Sequence, residues 1–326
     1  MNYDIQLPPF IVEESVRSFS EERPVSWGVN YLEAPKVWDK TKGGKAVVFV
    51  IDTEDDSDHE ALAGNLVQAY CRRLTNEPKE VESLGGHGLH VADTVKQIAP
   101  DVRIGLIKAL TNGGSGYNTW VAGAIRWAAD LVLLKEHEGY AKIINLSLGG
   151  DSPSPIVKSA IDYAKSKGVT VCAAAGNDAK DVDYPGVDAD LAVGAIDEAE
   201  KPAPFSSPGP EVDVSAPGVK IYGAYKGAYA ALSGTSMASP HIAGVCALLK
   251  SYGYENVTNL IKAGAKDIDL EGFDNKTGFG VPIIPTYFKE DPVNPEPEPE
   301  EGFQVSNWFY LGLVAIVVII MIINLS

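Results

Sequence analysis

Five unbroken apolar runs constrain the fold of this chain more than any other feature. They are Lys45-Ala-Val-Val-Phe-Val-Ile-Asp52, Val102-Arg-Ile-Gly-Leu-Ile107, Ile143-Ile-Asn-Leu-Ser147, Val169-Thr-Val-Cys-Ala173 and Leu191-Ala-Val-Gly-Ala-Ile196. A strand with one wet face alternates apolar and polar residues. These runs do not, so they read as strands covered on both faces, the habit of a parallel sheet. Helical patterns separate them at about 87–98, from Thr119 to Glu136 and from Pro155 to Lys167, with a further one at about 256–263. The alternation predicts an α/β domain with a doubly wound, mostly parallel sheet and helices on both faces. Sites in such folds form at the carboxyl ends of strands. Asp52 lies at one such end, Ser147 at another and Asn177 just beyond a third.

With 326 residues and 45% hydrophobic content, the chain can hold one large core plus appendages. Its net charge of −17 argues against nucleic acid as a partner and against docking of the globular surface on anionic lipid. Cys71, Cys172 and Cys246 are scattered, with neither a disulfide framework nor metal-ligand spacing, which suits a reducing compartment. The first ten residues lack the basic and apolar regions of a secretory signal. Trp308 to Ile323, by contrast, is an uncharged run of sixteen residues that opens on Trp308, Phe309 and Tyr310. It reads as a single C-terminal transmembrane helix with an aromatic belt. Residues 290–301, with four prolines and six acidic groups, form a stiff solvated spacer before it. The expected division is an N-terminal extension at 1–25, a globular domain at 26–289, a Pro/Glu-rich linker at 290–307 and a membrane helix at 308–325. The expected location is a membrane, single-pass, with the globular domain on the cytoplasmic side.

Gly234-Thr-Ser-Met-Ala-Ser-Pro-His241 precedes another apolar run, Ile242 to Leu249. A serine on a small-residue turn at a helix start sits beside unpaired N–H groups and the positive end of the helix dipole. That suits a nucleophile for acyl transfer, and equally an ordinary capped helix. Taken singly, Asp52 reads as well as a helix cap, His87 as a surface histidine in a glycine-rich loop and Asn177 as a turn former. Six ordered motifs change the balance: Ile51-Asp-Thr53, His87-Gly-Leu-His-Val-Ala92, Ile144-Asn-Leu-Ser-Leu-Gly-Gly150, Ala174-Ala-Gly-Asn177, Ser215-Ala-Pro-Gly218 and the serine turn itself. With them the chain, from about Trp27 to Pro285, resembles the subtilisin-like serine proteases (peptidase family S8), and among these the intracellular subtilisins. The order Asp, His, Ser is the one that distinguishes that arrangement from other triads.

The resemblance implies a serine endopeptidase working through an acyl-enzyme on protein or peptide substrates. Ser236 would be the nucleophile, His87 the base, Asp52 its orienter, and Asn177 with the Ser236 N–H the oxyanion donors. Substrate would add as a strand between Ser147, Leu148, Gly149 and Gly114, Ser115, Gly116. The specificity pocket would lie between Gly149, Gly150 and Ala174, Ala175, Gly176, with Asp178 and Asp183 at its mouth favouring a basic P1 side chain. Leu7, Pro8, Pro9 and Phe10 match in place the inhibitory extension of intracellular subtilisins. The chemistry requires no cofactor and no metal; a structural calcium ion is left open, because Ala61 replaces a usual carboxylate ligand and helix 87–98 runs on without the calcium loop. Glu54, Leu89 and Asp93 depart from the motifs, two of them at glycine positions, and are expected to shift the Asp52 loop or the His87 helix. A dedicated maturation protease and a catalytically impaired peptide-binding scaffold are the alternative functions. His59 and His137 are expected to be solvated, and His90 and His241 to be structural.

Overall fold

The computed structural model describes residues 4–16, 25–77, 86–150 and 152–289. The linker and the apolar segment at 308–325 lie outside them. Two short strands, β1 (Ile5–Gln6) and β2 (Ile11–Val16), come first, then a turn of helix, α1 (Trp27–Tyr31). The alternation follows: β3 (Ala46–Asp52), β4 (Arg72–Arg73), α2 (His87–Ile98), β5 (Arg103–Lys108), β6 (Ser115–Gly116) and α3 (Asn118–Asp130). It continues with β7 (Ala141–Leu146), α4 (Pro155–Ser166), β8 (Thr170–Ala174), β9 (Leu191–Ile196) and β10 (Val212–Pro217). A hairpin of β11 (Ile221–Tyr225) and β12 (Ala228–Ser233) leads into the long helix α5 (Thr235–Tyr252) and the shorter α6 (Val257–Ala263).

The main sheet has the order β10-β9-β8-β7-β3-β5-β4, and each of its ladders is parallel. Strand β3 shows why its sequence is apolar throughout. Ala46, Val48 and Val50 face a core that includes residues of α2 and α5, while Val47, Phe49 and Ile51 face one that includes residues of α3 and α4. Both faces are covered, so neither carries polar residues. Asp52 continues the even register and meets α2 on its own face. From β3 the chain moves to β5 on one side, then crosses back to β7 on the other. That reversal opens the crevice at the carboxyl ends of β3 and β7 in which doubly wound folds place their sites.

Two expectations needed adjustment. The helix expected from Thr119 to Glu136 stops at Asp130, because Lys142 Nζ donates to the carbonyls of Ala129 at 2.9 Å and Leu131 at 2.6 Å and closes its end. The arm before residue 26 is not merely extended: β2 pairs antiparallel with β12, so residues 11–16 complete a three-stranded sheet. Cys172 of β8 and Cys246 of α5, distant in sequence, lie 3.9 Å apart in the core as free thiols. Among the described residues no helix is long and apolar enough to cross a membrane. The segment at 308–325 is not among them.

Candidate active site

Asp52 ends β3 and is 1% exposed, as is His87, the first residue of α2. Each oxygen of the Asp52 carboxylate lies 3.0 Å from His87 Nδ1, and Oδ1 also accepts the Thr53 N–H at 2.8 Å. The Nδ1 position therefore carries the proton and Nε2 is left as the basic atom. Gly86 supplies the left-handed turn (φ +71°) that starts α2 and aims its first side chain at Asp52.

Ser236 lies in the first turn of α5. Its hydroxyl donates to the Ser147 carbonyl at 3.3 Å, while the Ser147 hydroxyl donates to the Ser236 carbonyl at 2.9 Å. Ser239 donates to Asn145 at 2.8 Å, so three serines fasten the end of β7 to the start of α5. His87 Nε2 is buried and has no protein hydrogen-bond partner. Asp52 and His87 are thus hydrogen-bonded, and the Ser236 hydroxyl points to Ser147 rather than to His87. Bonds of this kind often close only once substrate is seated.

Asn177 follows β8 across Gly176, whose φ of +113° bends the chain there. Its Oδ1 accepts both the Thr235 N–H at 2.8 Å and the Thr235 hydroxyl at 2.7 Å. A backbone N–H can only donate, so the amide orientation is fixed and Nδ2 faces the crevice. There it donates to the carbonyl of Pro9 at 2.8 Å. Thr235, which holds this amide, did not stand out in the sequence; its place beside Ser236 was the available signal.

The crevice is filled by the chain's own arm. Ile5 pairs with Gly116 and Gln6 with Ser115, antiparallel. Asp4 N donates to Gly116 O at 3.0 Å and Leu7 N to Gly114 O at 2.8 Å. On the other side Gln6 and Gly149 exchange bonds of 2.8 and 2.9 Å. Ile5 and Pro8 are buried, and the Phe10 ring lies 4.9 Å from the His87 ring, centroid to centroid. The arm leaves along β12, where Glu13 accepts the Ser233 hydroxyl at 2.8 Å. Sequence reasoning matched Ile5 to Phe10 with the inhibitory extension and took Leu7 to Phe10 as its blocking residues; the pairing begins at Asp4.

The remaining expected site residues divide. Leu148 is buried, Gly150 N bonds Tyr184 O at 2.8 Å, and Ala175 O accepts the Asp183 N–H at 2.8 Å. The Asp183 carboxylate lies against Gly149 and Gly176; a Cβ at 149 would sit 3.4 Å from its Oδ2, and one at 176 would collide with it. Asp178 is exposed and lies 3.5 Å from the more exposed Lys180.

With the departures from the motifs in place, Asp52 and His87 still make their contact. Asp93 is fully buried and accepts the Ala224 N–H at 2.9 Å and Gln97 Nε2 at 3.2 Å, tying α2 to β11. Leu89 is buried in α2. Glu54 accepts the Gly86 N–H, and its backbone is not in the left-handed region. His137, expected to be solvated, is buried beside Tyr70, whose hydroxyl lies 2.7 Å from its Nδ1. His59 is likewise engaged, taking the Ala61 N–H at 3.1 Å and approaching Ala228 O at 3.0 Å. His90 and His241 are buried in helices, and burial pushes their rings down to about 3 and about 4, so both are neutral structural groups. No group of three or more His, Cys, Asp or Glu among the described residues is arranged to hold a metal. In the acidic loop Asp55 is bound to Arg73 at 2.8 Å and Asp56 accepts the Ser57 N–H at 2.7 Å.

Comparison with known proteins supplies the family. The family model described as the subtilase family, peptidase S8, matches residues 43–280. The chain belongs to the subtilase family. Thermitase of Thermoactinomyces vulgaris is 38% identical to this subtilase over 240 residues, 70% of this chain and 82% of that protein. Subtilisin DY of Bacillus licheniformis is 37% identical over 244 residues, 70% and 85% of the two chains. A thermophilic serine proteinase of Bacillus sp. strain AK1 is 39% identical over 271 residues, 79% of this chain, which spans 62% of that relative's length. Residues 43–280 of this subtilase form a subtilisin-like serine endopeptidase domain.

Proposed function

We propose that this subtilase is a membrane-tethered serine endopeptidase kept latent by its own arm. The observation that carries the reading is the Pro9 carbonyl on the Asn177 amide, at the end of a strand paired to both crevice edges. The crevice accepts extended peptide and offers a carbonyl donor where an oxyanion would form. With substrate in place of the arm, Ser236 Oγ rotates from Ser147 O to His87 Nε2 and attacks the scissile carbonyl. His87 takes the hydroxyl proton, Asp52 holds the resulting imidazolium, and Asn177 Nδ2 with the Ser236 N–H receives the oxyanion. The tetrahedral species collapses as His87 gives its proton to the leaving amine. Water, deprotonated by the same imidazole, then releases the acyl group from Ser236.

Two observations support latency. While the arm is seated, Ser236 is bound to Ser147 instead of His87, and Phe10 covers the imidazole. Pro8 and Pro9 also lack the N–H groups that a bound strand normally offers. The Asp183 carboxylate beside Gly149 and Gly176 supports a basic P1 preference. Residues 308–325 would tether the domain from the cytoplasmic side, with the linker allowing a reach of roughly 35 Å.

A fluorophosphonate probe tests the activity. Labelling after removal of residues 1–18, and its loss in Ser236→Ala, is expected; no labelling even then would mean a peptide-binding scaffold. A peptide panel varied only at P1 should be cut faster after Lys or Arg than after Glu, and the reverse order would sink the pocket assignment. Carbonate extraction of membranes should leave the full chain in the pellet and release a chain ending at 289. Release of both would refute the tether.

A further inference from the structure

Glu54 stands where the resemblance led to glycine, and the steps above give it no role. Its half-buried carboxylate folds back over the start of α2. Oε1 accepts the N–H of Gly86, the residue before His87, and Oε2 accepts the Thr53 hydroxyl at 2.6 Å. Two donors on two oxygens suit an ionised carboxylate, which has acceptors only. Thr53 Oγ1 also lies 3.1 Å from Asp52 Oδ1, but a hydroxyl has a single proton and the shorter contact takes it. A Cβ on Gly88 would run into Glu54 Oε2 and Asp52 Cβ together, so the two carboxylates close on the same space above the helix start.

The charged surroundings of this second anion are mixed. Burial pushes the Glu54 carboxyl above its usual range and the Asp52 charge adds to the rise; Thr53, His87 and Gly86 act the other way. Lys108 of β5, Lys226 of the β11–β12 turn, Asp55 with Arg73, and Asp56, Asp58 and His59 of the loop after β3 line the same cleft of about 370 Å³. Lys108 is held by the Thr53 carbonyl, Asn112 and Glu77, and Arg73 is held by Asp55. Lys226 lies over the Tyr225 ring, and His90 in α2 is neutral.

We propose that Glu54 is a positioning residue of the triad. It anchors the helix that begins with His87 and, as a second anion behind Asp52, favours the imidazolium formed when His87 takes the Ser236 proton. The inference rests on His87 being that base. Glu54→Gln keeps an acceptor for the helix start and removes the charge, so it separates anchoring from electrostatics.

The test is an NMR titration of the His87 ring protons in the full chain, assigned by their absence in His87→Gln. The ring should titrate about one pH unit lower in Glu54→Gln than in wild type, as expected for losing a nearby charge at an effective dielectric near 20–40. Glu54→Asp should stay within about 0.3 units of wild type, because the charge remains. Equal midpoints for wild type and Glu54→Gln would overturn the proposal. If Glu54→Gln does not fold, Glu54→Gly decides: a lower midpoint supports the electrostatic role, and an unchanged one refutes it. The titration needs no protease activity, so its outcome is separate from that of the labelling experiment. In active chains the acid limb of kcat/KM should move with the ring titration, which simple destabilisation would not produce.

Discussion

Ile5→Ala is the sharpest perturbation of the proposed latent state, because Ile5 is the arm's most deeply seated large side chain and is not among the candidate catalytic residues. It is 1% exposed and belongs to the core cluster containing Leu110, Leu148 and Tyr184. Truncating a buried Ile to Ala costs about 2–5 kcal/mol. The crevice opens to solvent and can relax, so about 3 kcal/mol is a fair value here. The contact exists only when the arm is seated, so the whole cost falls on that state. The unseated fraction should rise by about 150-fold, at roughly 1.4 kcal/mol per factor of ten. The assay is the rate of fluorophosphonate labelling of Ser236 in the full chain, with Ser236→Ala as the blank. Ile11→Ala is the control, since Ile11 is 52% exposed and its loss should change the rate little. A labelling rate for Ile5→Ala within twofold of wild type would refute the reasoning, because the arm would then not be what limits access.

Other expectations follow from single contacts. Asn177→Ala in the arm-free chain should lower kcat by about 10²–10³, the loss known from a subtilisin when this donor is removed, with KM nearly unchanged; a loss below tenfold would exclude the oxyanion role. His90 and His241 stay neutral in the folded chain, so the unfolded chain binds more protons below about pH 6.5. Their contribution is full above that pH and is lost as the pH falls towards about 4 and about 3. At pH 5 each should cost about 2 kcal/mol relative to pH 7, read as a lower urea midpoint; equal midpoints at the two pH values would contradict it. Asp93→Ala leaves the Ala224 N–H unpaired in the core and should destabilise the fold by about 1–3 kcal/mol in urea unfolding. No measurable change would mean that water replaces the carboxylate.

Much of the site was legible because its chemistry depends on residue types at strand ends and helix starts. Asp52 and Asn177 follow apolar runs that can only be buried strands, and Ser236 opens a helix, so each could be placed before any contact was known. The triad order, the oxyanion amide and both crevice edges came from motifs of this local kind. What failed were judgements of environment. His137 looked solvated among charged neighbours in the chain, yet Tyr70, far away in sequence, buries it. Glu54 and Asp93 looked like defects; besides the Asp93–Gln97 pair at helical spacing, their acceptors meet donors on Gly86 and Ala224 that no local pattern reveals.

The sequence alone determined the parallel sheet and the family and pointed to the candidate catalytic residues, because burial on both faces and strand-end chemistry are written into short segments. Only the tertiary structure decided the state of the site. The Asp52–His87 bond is made, Ser236 is turned to Ser147, and the arm from Asp4 to Phe10 occupies the crevice. These outcomes depend on which of several acceptors a donor reaches first, and that is settled by distances between segments far apart in the chain.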